Sequence, residues 1–112
     1  MDMQEEMLEY CKIGDINNVR RLIEHGADKD QALIDSCLYG HIVVIKYLIE
    51  QNADIHAQND QAFINSCSYG NIGIVKYLIK HGANIHAQND RAIANCLKNC
   101  DDDLVRFMTN LP

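Results

Sequence analysis

QALIDSCLYGHIVVIKYLIEQNADIHAQND, residues 31–60, is followed without a gap by QAFINSCSYGNIGIVKYLIKHGANIHAQND, residues 61–90, and the two agree at nineteen of thirty positions. A period of this length is the signature of a stacked array, in which each unit buries its apolar face only against the next one. The repeat predicts architecture and leaves the identity of any partner open.

Each unit carries two helical patterns separated by a turn. Leu33, Ile34 and Cys37 fall at i, i+1 and i+4, one buried stripe on a first helix. Asp30, Asp60 and Asp90 stand just before the first helices, where a carboxylate can accept from free backbone N–H groups, and are expected to be N-caps. Gly40 and Gly70 break the chain, supplying a positive φ for a tight turn. Ile42, Ile45, Leu48 and Ile49 then repeat at helical spacing, as do Ile72, Val75, Leu78 and Ile79. Asn52 and Gly82, the residues most tolerant of a left-handed C-cap, end these second helices.

The pattern extends both ways. Cys11, Gly14, Ile16, Val19, Leu22 and Ile23 match Cys37, Gly40, Ile42, Ile45, Leu48 and Ile49, with a connector shortened before Gln31. Ala92, Ile93 and Leu97 continue the first stripe, and Leu104, Val105, Phe107 and Met108 the second, with Cys100 in place of the turn glycine. The chain therefore divides into units of about 1–30, 31–60, 61–90 and 91–112 within one domain. End units need one wet face, so Glu5, Glu6 and Glu9 at one end and Lys98, Asp101, Asp102, Asp103 and Thr109 at the other are expected to be caps.

Composition narrows the function classes. The 112 residues fit a single domain, and 47% apolar residues exclude a disordered composition. No apolar run approaches a membrane span, and the acidic MDMQEEMLEY start is unlike a basic signal peptide. A net charge of −6 repels a phosphate backbone, so nucleic acid is not the expected ligand. The five cysteines follow the repeat rather than a bridging or zinc pattern. Cys37 and Cys67 share a slot one unit apart, beyond disulfide reach at helix-packing distance, and read as small buried hydrophobes in a reducing, cytoplasmic compartment.

No catalytic constellation emerges, and no metal or cofactor is expected. His25, His41, His56, His81 and His86 punctuate the repeat, with His56 and His86 a full unit apart and too distant to share an ion. Cys96-x-x-x-Cys100 supplies two sulfurs without nearby partners, a poor zinc site. Gly70-Asn71-Ile72-Gly73 lacks the strand, spacing and charge of a phosphate loop. The surface signal lies opposite the buried stripe of the first helices: Asp35, Leu38 and Tyr39, then Asn65, Ser68 and Tyr69, then Asn95, Lys98 and Asn99, aligned across units. Tyr39 and Tyr69 are the type of side chain that anchors interfaces, although both could instead only cover the turn glycines.

These residues resemble the ankyrin repeat family. The resemblance rests on Tyr-Gly-His at 39–41, Val-Val-Ile-Lys-Tyr-Leu-Ile at 43–49, His-Gly-Ala-Asn-Ile-His-Ala at 81–87 and Glu-His-Gly-Ala-Asp at 24–28, and the thirty-residue period is most similar to the ankyrin proteins of giant DNA viruses. It implies an all-α solenoid of helix-turn-helix repeats, and a protein-interaction module that binds through the concave face carrying the nine aligned positions just named. It implies no enzyme activity, and a monomer without nucleic acid or membrane partners. A structural repeat fragment without a dedicated ligand is the alternative. The family is also a substrate of an oxygen-dependent asparaginyl hydroxylase, whose target slot here holds His56 and His86. Two departures stand out. The family's Thr-Pro-Leu-His is replaced by Gln31-Ala32-Leu33-Ile34 and Gln61-Ala62-Phe63-Ile64, and each full unit lacks three connector residues, so short connectors without β-hairpins are expected.

Overall fold

The structure, a computed structural model, describes residues 1–99 and 102–111. Expectations placed on Cys100, on Asp101 and on the side chain of Asn99 lie outside the described residues. Eight helices and no strand occur among those residues: α1 Met3–Ile13, α2 Ile16–Glu24, α3 Lys29–Tyr39, α4 Ile42–Glu50, α5 Ala57–Tyr69, α6 Ile72–Lys80, α7 Ala87–Asn99 and α8 Asp102–Thr109. The odd-numbered helices pack in series, α1 on α3 on α5 on α7, and each even-numbered helix packs on the one before it. The result is an all-α solenoid elongated to 41 × 21 × 20 Å.

The repeated sequence accounts for each part of the unit. Gly14, Gly40 and Gly70 take φ of +75°, +77° and +94° and close α1, α3 and α5, their N–H groups donating to Tyr10, Ser36 and Ser66 carbonyls. Only glycine adopts this region at little cost. Asn52 and Gly82 follow α4 and α6 in the same left-handed region, as their positions in the repeat predict, and the next N–H reaches back to Leu48 and Leu78. Asp15 and Asn71 accept from Asn18 and Ile74 N–H groups and cap α2 and α6. Between units lie Leu33, Phe63, Ile45, Val75, Leu48 and Leu78, all fully buried, with Ala32, Ala62 and Ala92 small enough to let the first helices approach. Each large aliphatic side chain so placed contributes about 1.5–3 kcal/mol.

The aspartates before the first helices do not act as the N-caps their positions suggest. Asp28 caps α3, accepting from Asp30 and Gln31 N–H groups. Asp30 Oδ1 instead accepts from Asp54 N–H at 2.7 Å, and Asp60 Oδ2 accepts from Asn84 N–H at 2.7 Å. Gln4 does the same for Asp28 N–H at 2.8 Å. In three units a side chain at the start of the first helix therefore clasps the backbone that returns from the second helix. The connectors contain no hairpin. Gln58, Asn59 and Asp60 form a left-handed turn (φ 53°, 57°, 60°), and Gln88, Asn89 and Asp90 repeat it (φ 55°, 58°, 59°).

The end units present the polar residues expected of caps, with one apolar exception. Glu5 and Glu9 are exposed and Glu6 is half-buried, 3.8 Å from Arg21, which suits an end unit. At the other end Lys98, Asp102, Asp103 and Thr109 are exposed, yet Leu97 occupies the slot in which Cys37 and Cys67 are fully buried and is itself 64% exposed. The sequence places Leu97 in the buried first stripe, and its exposure corrects that reading: in the inner units this slot is covered by the next first helix, and among the described residues none stacks on the far side of α7.

Candidate functional site

The first helices α3, α5 and α7 lie side by side, so residues thirty apart in sequence become neighbours in space. Asn95 Nδ2 donates to Ser68 Oγ at 2.9 Å, and Ser68 Oγ donates to the Ile64 carbonyl at 3.1 Å. Asn65 Nδ2 donates across to the Ile34 carbonyl at 3.0 Å and its Oδ1 accepts from Gln61 Nε2 at 2.8 Å. A ladder of glutamines runs beside these bonds, Gln58 to Gln31 at 2.8 Å and Gln88 to Gln61 at 3.2 Å. The aligned polar slots thus stitch one unit to the next, and two asparagines on this face have their amides fixed by that stitching.

Asp35 holds the same slot as Asn65 and Asn95 but has no amide to donate. It is half-buried and accepts one bond, from Gln31 Nε2 at 3.1 Å. Burial pushes its carboxyl above the usual carboxylate range; the Gln31 bond opposes the rise, Asp28 adds to it and Lys12 opposes it. Beside it Leu38 is 45% exposed and Tyr39 half-buried, while Tyr69 one unit on is 51% exposed. The Tyr69 ring also lies against Gly40, where an added Cβ would come within 2.3 Å of it. Tyr69 therefore covers the turn glycine of the preceding unit and still shows half its surface. Lys98 is exposed at the far end of the row.

The histidines satisfy local polar groups. His41 Nε2 donates to the Lys12 carbonyl at 2.6 Å, with its ring over Gly14. His25 and His81 donate from Nδ1 to Arg21 and Tyr77 carbonyls. His56 Nδ1 meets Asp60 at 2.9 Å, and His86 Nδ1 meets Asp90. Asp60 is 6% exposed at its side chain and Asp90 54%. His56, Asn59, Asp60, Asn84, His86 and Asn89 line a polar cleft of about 550 Å³ between the two connectors. Among the described residues no group of three or more His, Cys, Asp or Glu side chains is arranged to hold a metal. Cys11, Cys37, Cys67 and Cys96 are buried, and desolvation pushes the Cys11 thiol up to about 11 and Cys37 higher still.

The second-helix face carries a feature that repeat alignment alone does not disclose. Arg20 sits 5.4 Å over the Tyr47 ring, Lys46 5.5 Å over Tyr77 and Lys76 5.1 Å over Phe107, so each unit's cation covers the aromatic of the next. The signal was present in the adjacent pairs Lys46-Tyr47, Lys76-Tyr77 and Arg106-Phe107, but these neighbours in sequence do not pair with each other. Ile16, Val43 and Glu50 join Arg20, Lys46 and Tyr47 around a smaller cleft of about 260 Å³ there.

Comparison with known proteins agrees with this geometry. An ankyrin repeat protein of Acanthamoeba polyphaga mimivirus is 56% identical over 42 residues, which cover 34% of this chain and 32% of that protein. The match thus spans about a third of the relative's own length. No described helix is long and apolar enough to cross a membrane. A family model for ankyrin repeats, in three copies, matches residues 7–89, and with its stacked helix pairs the chain belongs to the ankyrin repeat family.

Proposed function

We propose that this chain is a monomeric, single-domain protein-interaction module that binds a protein partner through the first-helix face. Ankyrin repeats generally serve as interaction modules. The observation that carries the reading is the row Leu38, Tyr39 and Tyr69: large side chains left open on helices whose opposite sides are fully buried. Ordered aromatics on a rigid element bind with little loss of side-chain freedom, and such residues dominate interface energies. The charge distribution and the absence of a basic row on this face favour protein over nucleic acid. Affinity capture of a partner, followed by competition with the Tyr39→Ala/Tyr69→Ala variant, tests the reading. The variant is expected to lose more than ~2 kcal/mol of binding while retaining its helical spectrum. Unchanged affinity moves the site to the second-helix face of Tyr47 and Tyr77.

The contact of Tyr69 with Gly40 favours a second reading, a structural repeat segment without a dedicated ligand. Here Tyr69→Ala alone lowers stability, and no partner competes for the face.

A further inference from the structure

The first-helix slot that holds Asp35, Asn65 and Asn95 is occupied in two units by amides that donate to the unit before. In the third it is occupied by a carboxylate that cannot. Asp35 is half-buried, has one fixed donor, and makes no ion pair within 4 Å among the described residues. Partial burial without a counter-ion is a cost that an incoming cation relieves. The surroundings suit a long cationic side chain: Leu38 and the Tyr39 ring offer apolar surface to a methylene stem, and Asp28 adds to the negative field at the carboxylate. The protein's own Lys12 already answers to this environment. Its ammonium lies 6.0 Å from the Tyr39 ring, close enough to lower the proton affinity of Asp35, yet its ion pair is with Glu9 at 3.6 Å.

Resting on the first-helix reading above, we propose that the partner presents an arginine or lysine whose head group seats on Asp35, with its stem against Leu38 and Tyr39 and Lys12 staying on Glu9. Guanidinium fits best, since its planar fork can bond the carboxylate while stacking on an aromatic face. The neutral slots Asn65 and Asn95 give no equivalent site, so the cation fixes the register of the partner on the stack.

The probe is a random twelve-residue peptide library selected on the full chain, with enriched peptides resynthesised for calorimetry. Expected are peptides carrying Arg or Lys, shifting the amide resonances of Leu38 and Tyr69. Their affinity should fall at least tenfold with Asp35→Asn, and fall to the same degree when citrulline replaces the arginine. The two changes together should lose no more than either alone, the mark of a direct pair. Lys12→Ala should tighten binding a few-fold. Asparagine already stands in this slot in two units, so Asp35→Asn keeps the fold. Peptides that shift Leu38 and Tyr69 but bind Asp35→Asn unchanged overturn the cation site and leave the face reading in place. Peptides that shift only connector or second-helix resonances overturn the face itself. A selection yielding no peptide counts against both.

Discussion

Asp60 and Asp90 occupy the same slot with the same left-handed backbone, φ +60° and +59°, and each meets the histidine four residues before it. They differ in one respect: Asp60 also clasps Asn84 N–H at 2.7 Å and is buried, whereas Asp90 bonds only His86 among the described residues and is open to water. Alanine keeps the β-carbon but lacks the short polar side chain by which aspartate tolerates the left-handed region, and this loss, at most about 1 kcal/mol, is common to both. Asp60→Ala also loses a charge-assisted bond to the backbone, about 1.5–3 kcal/mol, and the Asn84 N–H must find water. The exposed His86–Asp90 bond is worth at most about 1 kcal/mol. Asp60→Ala is therefore expected to destabilise by about 2–4 kcal/mol and Asp90→Ala by at most about 2. Urea denaturation followed by helical circular dichroism, with the m-value checked for constancy, measures the difference. Asp60→Gly, which removes the left-handed penalty along with the carboxylate, should lie about 1 kcal/mol above Asp60→Ala. Equal losses at positions 60 and 90 would refute the clasp as the reason these aspartates recur.

Leu78→Ala, at a fully buried position, should cost about 2–5 kcal/mol, whereas Lys46→Ala should cost about 0.5–1, for its ammonium over the Tyr77 ring; equal effects in denaturant melts would mean the helical phase is misassigned. Asp35 has a raised proton affinity in the fold, so the native state holds more protons than the unfolded chain just above the ordinary carboxylate range. Its contribution is therefore present at low pH and lost as pH rises through that range, and Asp35→Asn should be neutral or stabilising at pH 7 and should flatten this part of the acid stability profile; a variant less stable than the parent at pH 7 sinks the argument. On incubation with the asparaginyl hydroxylase, 2-oxoglutarate and oxygen, peptides containing His86 should gain one oxygen sooner than those containing His56, because the His56 connector is tied at both Asp54 and Asp60 whereas the His86 connector shares the Asp60 tie at Asn84 and ends on the exposed Asp90; no gain in either, with a control substrate turning over, removes the idea.

Much of the fold was legible because the forces that specify it are local and repeated. Leu48 and Leu78 recur at helical spacing on one stripe and prove fully buried, and Gly40 and Gly70 take the positive φ that ends a helix before a tight turn. The face of Asp35, Asn65 and Asn95 could be aligned from the period alone, since a shared slot in a stack is a shared position in space. What each residue does in that slot was less accessible. Asn65 and Asn95 use their amides on the preceding unit, a role that depends on how far one helix is displaced along its neighbour.

The aspartates before the first helices illustrate the same limit from the other side. Proximity to a helix start made Asp30 and Asp60 natural caps, and local rules favour that assignment. Two residues earlier, Asp28 has the extended backbone a cap requires and takes the role, leaving Asp30 free to turn toward Asp54. At Asp60 the preceding turn is left-handed, a conformation that asparagine and aspartate tolerate better than other side-chain-bearing residues but seldom adopt in succession. Its carboxylate is then aimed at the backbone returning twenty-four residues later rather than at its own helix. Both outcomes follow from competition between a local bond and a longer one of similar strength. In such a contest the chain's geometry decides, and the slot that loses its cap gains a tie that holds the connector, and with it the polar cleft, against the stack.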